Sequence, residues 1–325
     1  TGPEDLAARV AAGQGLVSLA TPPLMHSSAY WLASHVMFTG GTLVMVPLGE
    51  FDPAAIWDLI TREKVFILVV VGDAMARPLI EEFEAHPERY DAGSLWVIGS
   101  GGAILSASTK ERLLAILPDR MIADGFGSSE TGVLGSRSGT DGTTFVLNEE
   151  TAVLDEDMRP VEPGSGVVGQ LARRGLIPLE YHRDAEKTAR TFVEIDGVRW
   201  ALPGDMATVE ADGTMSLLGR GSLSINTGGE KVFPEEVEAP LRDHPAVADA
   251  VIVGVPDERW GERVVAVVQP ARGAVPTLED LQAHCREHLA GYKVPRGLIL
   301  VERVQRSPAG KADYAWAKDR AVRSR

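Results

Sequence analysis

The chain has 325 residues, 44% of them hydrophobic, a net charge of −14 at neutral pH and one cysteine. That length points to two domains, and the acidic balance argues against non-specific nucleic-acid binding. One cysteine excludes an internal disulfide framework and fits a reducing, cytoplasmic setting. No apolar run could span a bilayer, which excludes stable membrane insertion, and the start lacks a basic-then-apolar secretion pattern.

In chain order, residues 43–47, 65–71 and 95–100 are apolar runs of strand length. Residues 53–62 and 106–117 carry helical patterns between them, the second with Ser106 as N-cap and Leu113, Ile116 and Leu117 on one face. Strands alternating with helices predict a largely parallel α/β sheet. From residue 144 short β segments at 151–154, 166–172, 191–193 and 206–209 are split by Gly, Pro and Asp, which predicts a small antiparallel β subdomain over about 144–220.

Residues 221–325 hold 15 basic and 15 acidic side chains, so the whole acidic excess lies in residues 1–220 and a domain boundary near 221 is expected. Beyond it the order strand, helix, strand, strand, helix predicts a small α+β domain. A helix starts at Pro234, and Pro240 should kink or end it. Residues 247–255 and 264–269 are strands. Thr277 and Asp280 then open a helix with Leu278, Leu281, Cys285 and Leu289 on one side, stopped at Gly291. There Cys285 reads as a packed thiol.

Four segments carry chemistry. The first is Asp124-Gly-Phe-Gly-Ser-Ser-Glu-Thr-Gly132, after a glycine-rich Gly99-Ser-Gly-Gly-Ala103. Small residues admit a flat ligand, Phe126 offers a stacking face, Ser128 and Ser129 offer hydroxyls to phosphate, and Glu130 suits a hard cation such as Mg²⁺. An ordinary Gly/Ser surface turn would look the same. The second is Pro203-Gly-Asp205, where a carboxylate on a tight turn can accept ribose hydroxyls, or simply form a turn. The third is Gly219-Arg220 with Gly228-Gly-Glu230, a forked cation and a loop open to close approach. The fourth is Ser307-Pro-Ala-Gly-Lys311, which can place one positive charge on a developing phosphate.

In this order the four segments resemble the adenylate-forming superfamily, and within it the acyl-CoA synthetases. The resemblance runs from Pro22-Pro-Leu-Met-His-Ser-Ser-Ala-Tyr30 to Lys311 and includes Arg173-Arg-Gly-Leu-Ile-Pro-Leu-Glu-Tyr181 with Glu186-Lys-Thr188. It implies that residues 1–220 form part of a large AMP-binding domain and residues 221–325 a mobile lid. It also implies two steps: a carboxylic acid is activated with ATP and Mg²⁺ to an acyl adenylate, then passed to coenzyme A. Gly101, Gly102 and Ala103 would border adenine, with Asp124 and Gly127 in the same nucleotide-binding stretch. Phe126 stands where Tyr is usual, and Ser129 where Thr is commoner. Glu130 would hold Mg²⁺, and Asp205 and Arg220 the ribose. Lys311 would bridge carboxylate and α-phosphate, and His26 would gate the acyl tunnel. Ser222 falls at the hinge, where Asp or Lys is usual, and Gly228, Gly229 and Glu230 would serve the thioester step.

The family's Ser/Thr/Gly loop for the β- and γ-phosphates, expected before Pro22, is missing, so the chain is expected to be a carboxyl-terminal portion, inactive alone. Residues 138–144 imitate that loop's composition but lie in the wrong order and are expected to form a hairpin or loop. The stretch Val70-Val-Gly-Asp-Ala-Met-Ala-Arg-Pro78 and the run 173–181 resemble synthetases for fatty acids and steroid side-chain acids. Asp73 and Arg77 themselves are expected to be a helix cap and its i+4 ion pair. Two other readings stay open: loading of a carrier protein's phosphopantetheine, and a degenerate, non-catalytic binding module. The expected partners are small molecules, with homodimer formation left open.

Overall fold

A computed structural model describes residues 2–47, 51–138, 144–307 and 310–323. The chain divides into two compact units. The first comprises residues 1–127, 136–142 and 307–311; the second comprises residues 128–135, 143–306 and 312–325.

The first unit is built on a parallel sheet whose strands lie in the order Thr42–Met45, Val17–Ala20, Ile67–Val70, Val97–Gly101, Met121–Ser128. Helix Pro53–Glu63 starts at Asp52, whose carboxylate accepts the Ala55 N–H at 3.2 Å, and buries Ile56, Trp57 and Ile60. Helix Ala107–Ile116 starts at the expected Ser106. The Trp57 indole N–H donates to the Leu79 carbonyl at 2.8 Å, so its ring fills the core with no donor lost. Each such large apolar side chain contributes roughly 1.5–3 kcal/mol by leaving water.

The apolar run 65–71 is shorter as a strand than expected, because Val71 is already the N-cap of helix Gly72–Ala85 and Gly72 turns the chain at φ 55°. Asp73 therefore lies inside that helix and does not cap it. Its i+4 pair with Arg77 is present at 3.5 Å, while its other oxygen accepts the Ser106 N–H at 2.9 Å.

The second unit contains two sheets. One is antiparallel, in the order Phe192–Ile195, Val198–Ala201, Gly169–Arg173, Asp205–Val209, Thr214–Arg220, Thr144–Val146, with Thr151–Leu154 paired to Gly169–Arg173. The other joins hairpin Ile225–Thr227 and Glu230–Val232 to the long pair Val247–Asp257 and Gly261–Pro270, and Gly297–Leu300 adds a parallel strand. Helices Pro234–Asp243 and Leu278–His288 cover one side of this sheet, with Val237, Leu241, Leu281 and Cys285 in the core. Helix Tyr314–Arg323 adds Ala317 and Ala321 to a separate cluster.

Pro240 does not end its helix, which runs to Asp243. The proline removes one hydrogen bond near the helix end, and burial of Leu241 and Arg242 holds the last turn in place. The hairpin-like stretch expected at residues 138–144 falls largely on 139–143, outside the described residues.

Candidate functional site

In a parallel α/β sheet every strand points the same way, so the loops that follow the strands gather along one edge, where ligands of such sheets bind. Four segments of the first unit share that edge. His26 is the N-cap of helix Ser27–Thr39, in the loop after Val17–Ala20. Gly72 follows Ile67–Val70, and Gly101, Gly102 and Ala103 end Val97–Gly101. Phe126 and Gly127 end Met121–Ser128, where register sets Ser100 beside Asp124 and Gly101 beside Gly125. Gly102 has φ 83°, a left-handed conformation that a side chain would strain. The buried Ser100 hydroxyl accepts the Gly72 N–H at 3.1 Å and ties two of these turns together.

The lysine loop belongs to the same unit. The Gly310 N–H donates to the Ser307 carbonyl and the Ser307 N–H to the Lys311 carbonyl, both at 2.8 Å, while the Lys311 side chain is exposed. A Cβ on Gly310 would lie 3.2 Å from Val71, and one on Gly102 would lie 3.9 Å from the same side chain. Residues more than 200 positions apart in the chain thus meet around Val71.

Asp124 has a partner that its motif does not reveal. Lys110, wholly buried on helix Ala107–Ile116, places its ammonium 2.7 Å from the Asp124 carboxylate. An unpaired charge at that depth would cost several kcal/mol, so each group fixes the other's position.

The second unit carries Glu130, Asp205 and Arg220. Glu130 is half-buried and accepts from the Tyr181 hydroxyl. Burial pushes its carboxyl up. The Tyr181 hydroxyl, its own backbone N–H, the Ser128 hydroxyl and the Arg220 charge outweigh that and hold it below the usual carboxylate range. Tyr181 is pushed up to about 12 by burial and by this bond. Ser128 also contacts the Thr131 hydroxyl at 3.0 Å, and Ser129 is exposed. Asp205 and Arg220 stand directly opposite each other on neighbouring antiparallel strands, with Arg220 Nε 3.0 Å from Asp205 Oδ1. Ser222 is exposed in the single turn Gly221–Leu223 that follows. Gly228 and Gly229, at φ 65° and 91°, close the hairpin that leads to exposed Glu230, the conformations a two-residue hairpin turn demands.

Sequence reasoning missed a charge network in the second unit that ends at Arg306. Arg306, one residue before Ser307, donates to both oxygens of Asp249 at 2.7 Å. Asp249 also faces Arg242 at 3.3 Å, and Arg242 pairs with Glu238 at 2.6 Å. The only local sign of this network is Glu238 and Arg242 at i, i+4. The same holds for Tyr181, which stands in a quoted motif but gives no hint of its carboxylate partner.

The AMP-binding enzyme family matches residues 5–177, and the AMP-binding enzyme C-terminal domain matches residues 236–311. A medium/long-chain-fatty-acid–CoA/3-oxocholest-4-en-26-oate–CoA ligase of Mycolicibacterium smegmatis is 51% identical over 97% of this chain, which spans 58% of that relative. A 3-oxocholest-4-en-26-oate–CoA ligase of Rhodococcus rhodochrous is 48% identical over the same 97%, again with 58% of its own length matched. Among solved structures, the amide bond synthetase McbA of Marinactinospora thermotolerans has a TM-score of 0.80 at 28% identity, covering 98% of this chain and 65% of that one. With the family matched across more than half of its residues, the chain belongs to the AMP-binding enzymes.

Proposed function

We propose that this chain carries the adenylate-handling part of an AMP-forming acyl-CoA ligase. The observation that carries the reading is the meeting at Val71: the Gly101–Gly102 turn and the lysine loop share one edge of a parallel sheet. A site of this kind has little covalent chemistry to perform, because in-line displacement at phosphorus needs positioning and charge neutralisation.

Gly101, Gly102, Ala103, Phe126 and Gly127 accept the adenine, Asp205 and Arg220 the ribose, and Ser128 and Ser129 the phosphate. Lys311 neutralises charge that develops between carboxylate and α-phosphate, and His26 borders the acyl channel. Glu130 fits a hard divalent cation: its carboxyl is held ionised and oriented by Tyr181. Mg²⁺ bound there would polarise phosphate oxygens. Residues 221–325 act as a lid that turns at Ser222 and presents Gly228, Gly229 and Glu230 to the thiol of coenzyme A. The names of the relatives favour a medium- or long-chain fatty acid or a steroid side-chain acid as substrate. The buried, unpaired Cys285 fits a cytoplasmic setting.

The test separates the two half-reactions in a protein of the relatives' full length that carries this chain. Lys311→Ala should nearly abolish acid-dependent pyrophosphate release and leave conversion of supplied acyl-AMP and coenzyme A to thioester. Equal loss of both would remove Lys311 from the adenylation step.

A further inference from the structure

Three of the chain's seven histidines, His244, His284 and His288, gather at one place in the second unit. His284 and His288 lie one turn apart on helix Leu278–His288, with ring centroids 5.1 Å apart, and the His244 ring meets His284 edge-on, also at 5.1 Å. Glu287 shares that last turn. One donor atom from each of His284, Glu287 and His288 falls within 4.8 Å of the others.

The tautomer of His284 is set from outside the cluster. Its Nε2 lies 2.9 Å from the Pro240 carbonyl, an acceptor with no proton to give, so Nε2 carries the hydrogen. That carbonyl is available because the His244 N–H, which would otherwise close the helix on it, bonds Leu241 instead. Nδ1 of His284 is left with its lone pair. An imidazole that donates through one nitrogen to a backbone carbonyl and offers the other is the arrangement that orients metal-bound histidines. The Glu287 and His288 side chains are exposed and make no hydrogen bond or ion pair among the described residues, so they are free to turn. The closing movement is small: zinc–nitrogen bonds of about 2.1 Å in a tetrahedral centre set donors about 3.4 Å apart.

The geometry points to a divalent-cation site of the zinc class at His284, Glu287 and His288. Two borderline imidazole nitrogens beside one carboxylate favour Zn²⁺ over Mg²⁺, and three protein ligands leave one position for water. A bound ion staples the last turn of helix Leu278–His288. Through the Nε2 bond it also reaches the end of helix Pro234–Asp243, so it stiffens the helical layer of this sheet. The site is chemically distinct from Glu130, where a lone carboxylate suits a hard cation.

The probe is Zn²⁺ alone, titrated calorimetrically into the chelator-treated 325-residue chain at neutral pH with excess Mg²⁺ present. Expected is saturable binding of one equivalent with a rise in melting temperature, as binding to the folded state requires. His288→Gln, which breaks no hydrogen bond, should fold as the parent does, weaken Zn²⁺ at least tenfold and lose the thermal shift. Glu287→Gln should weaken it less, and His284→Gln as much. Absence of saturable binding by the parent would overturn the proposal. So would His288→Gln binding Zn²⁺ as tightly as the parent, since the ion would then sit elsewhere.

Discussion

Substitution of Asp249 by Asn tests whether the Arg306–Asp249–Arg242 charge network holds the second unit together. Asp249 accepts two bonds from Arg306 at 2.7 Å and faces Arg242 at 3.3 Å, with side chains only 5–15% exposed. Asn keeps the shape but leaves two guanidinium groups facing a neutral partner. Breaking a buried pair from one side costs about 3–5 kcal/mol, which lowers the melting temperature by roughly 6–20 °C for a unit of this size. The acid limb gives a second reading. Burial pushes the Asp249 carboxyl up, but the Arg306 bonds and the Arg306 and Arg242 charges win and hold it below its ordinary value. A depressed folded value means that its stabilisation is present above the unfolded pKa, about 3.9, and is lost as pH falls through the folded value. The parent should therefore lose stability steeply below about pH 4, and Asp249→Asn less steeply. Thermal melts across pH 2–7, read by circular dichroism, measure both. A melting temperature within about 2 °C of the parent at pH 7, with an unchanged acid limb, would refute the reasoning.

Gly219→Ala should be strongly destabilising: φ is 120°, and a Cβ would stand 2.0 Å from the Glu235 carboxylate. Adding Glu235→Ala should recover part of the loss in a double-mutant melt, and a neutral Gly219→Ala would contradict the packing. Glu235 itself is pushed up to about 7 by burial and by the Glu238 charge. Its folded value lies above its unfolded one, so its contribution is present below the unfolded pKa and lost as pH rises through about 7. Denaturant unfolding at pH 5 and pH 8 should show that loss in the parent and much less of it in Glu235→Gln; equal slopes would refute it. Tyr181→Phe should raise the Glu130 carboxyl toward its ordinary range, followed by carboxyl NMR titration, and no movement would remove Tyr181 as its orienting partner.

The local signals were legible where chemistry acts over one turn. Ser106 caps its helix because a hydroxyl followed by an apolar face announces that geometry, and Thr277 accepts the Asp280 N–H for the same reason. Alternating strands and helices foretold the parallel sheet, and through it the edge where Gly102 and Phe126 lie. The cross-strand meeting of Asp205 with Arg220 was half legible: both residues stood out, but their pairing depends on register and on a bulge between Met206 and Ala207. Lys110 with Asp124 could not be read, because helix-on-strand packing decides which lysine is buried. Arg306 with Asp249 spans 57 positions and has no local signature at all. Pro240 does not end its helix because a proline near a helix end forfeits one hydrogen bond, and burial of its neighbours is worth more.

The proposed function requires that this chain hold an adenylate. Calorimetric titration of the 325-residue chain with a dodecanoyl-sulfamoyl adenosine, a stable mimic of acyl-AMP, tests it most directly. Expected is one saturable site, bound more tightly than AMP and weakened at least tenfold by Asp205→Ala. No saturable binding of the mimic, or equal affinity in Asp205→Ala, would contradict it.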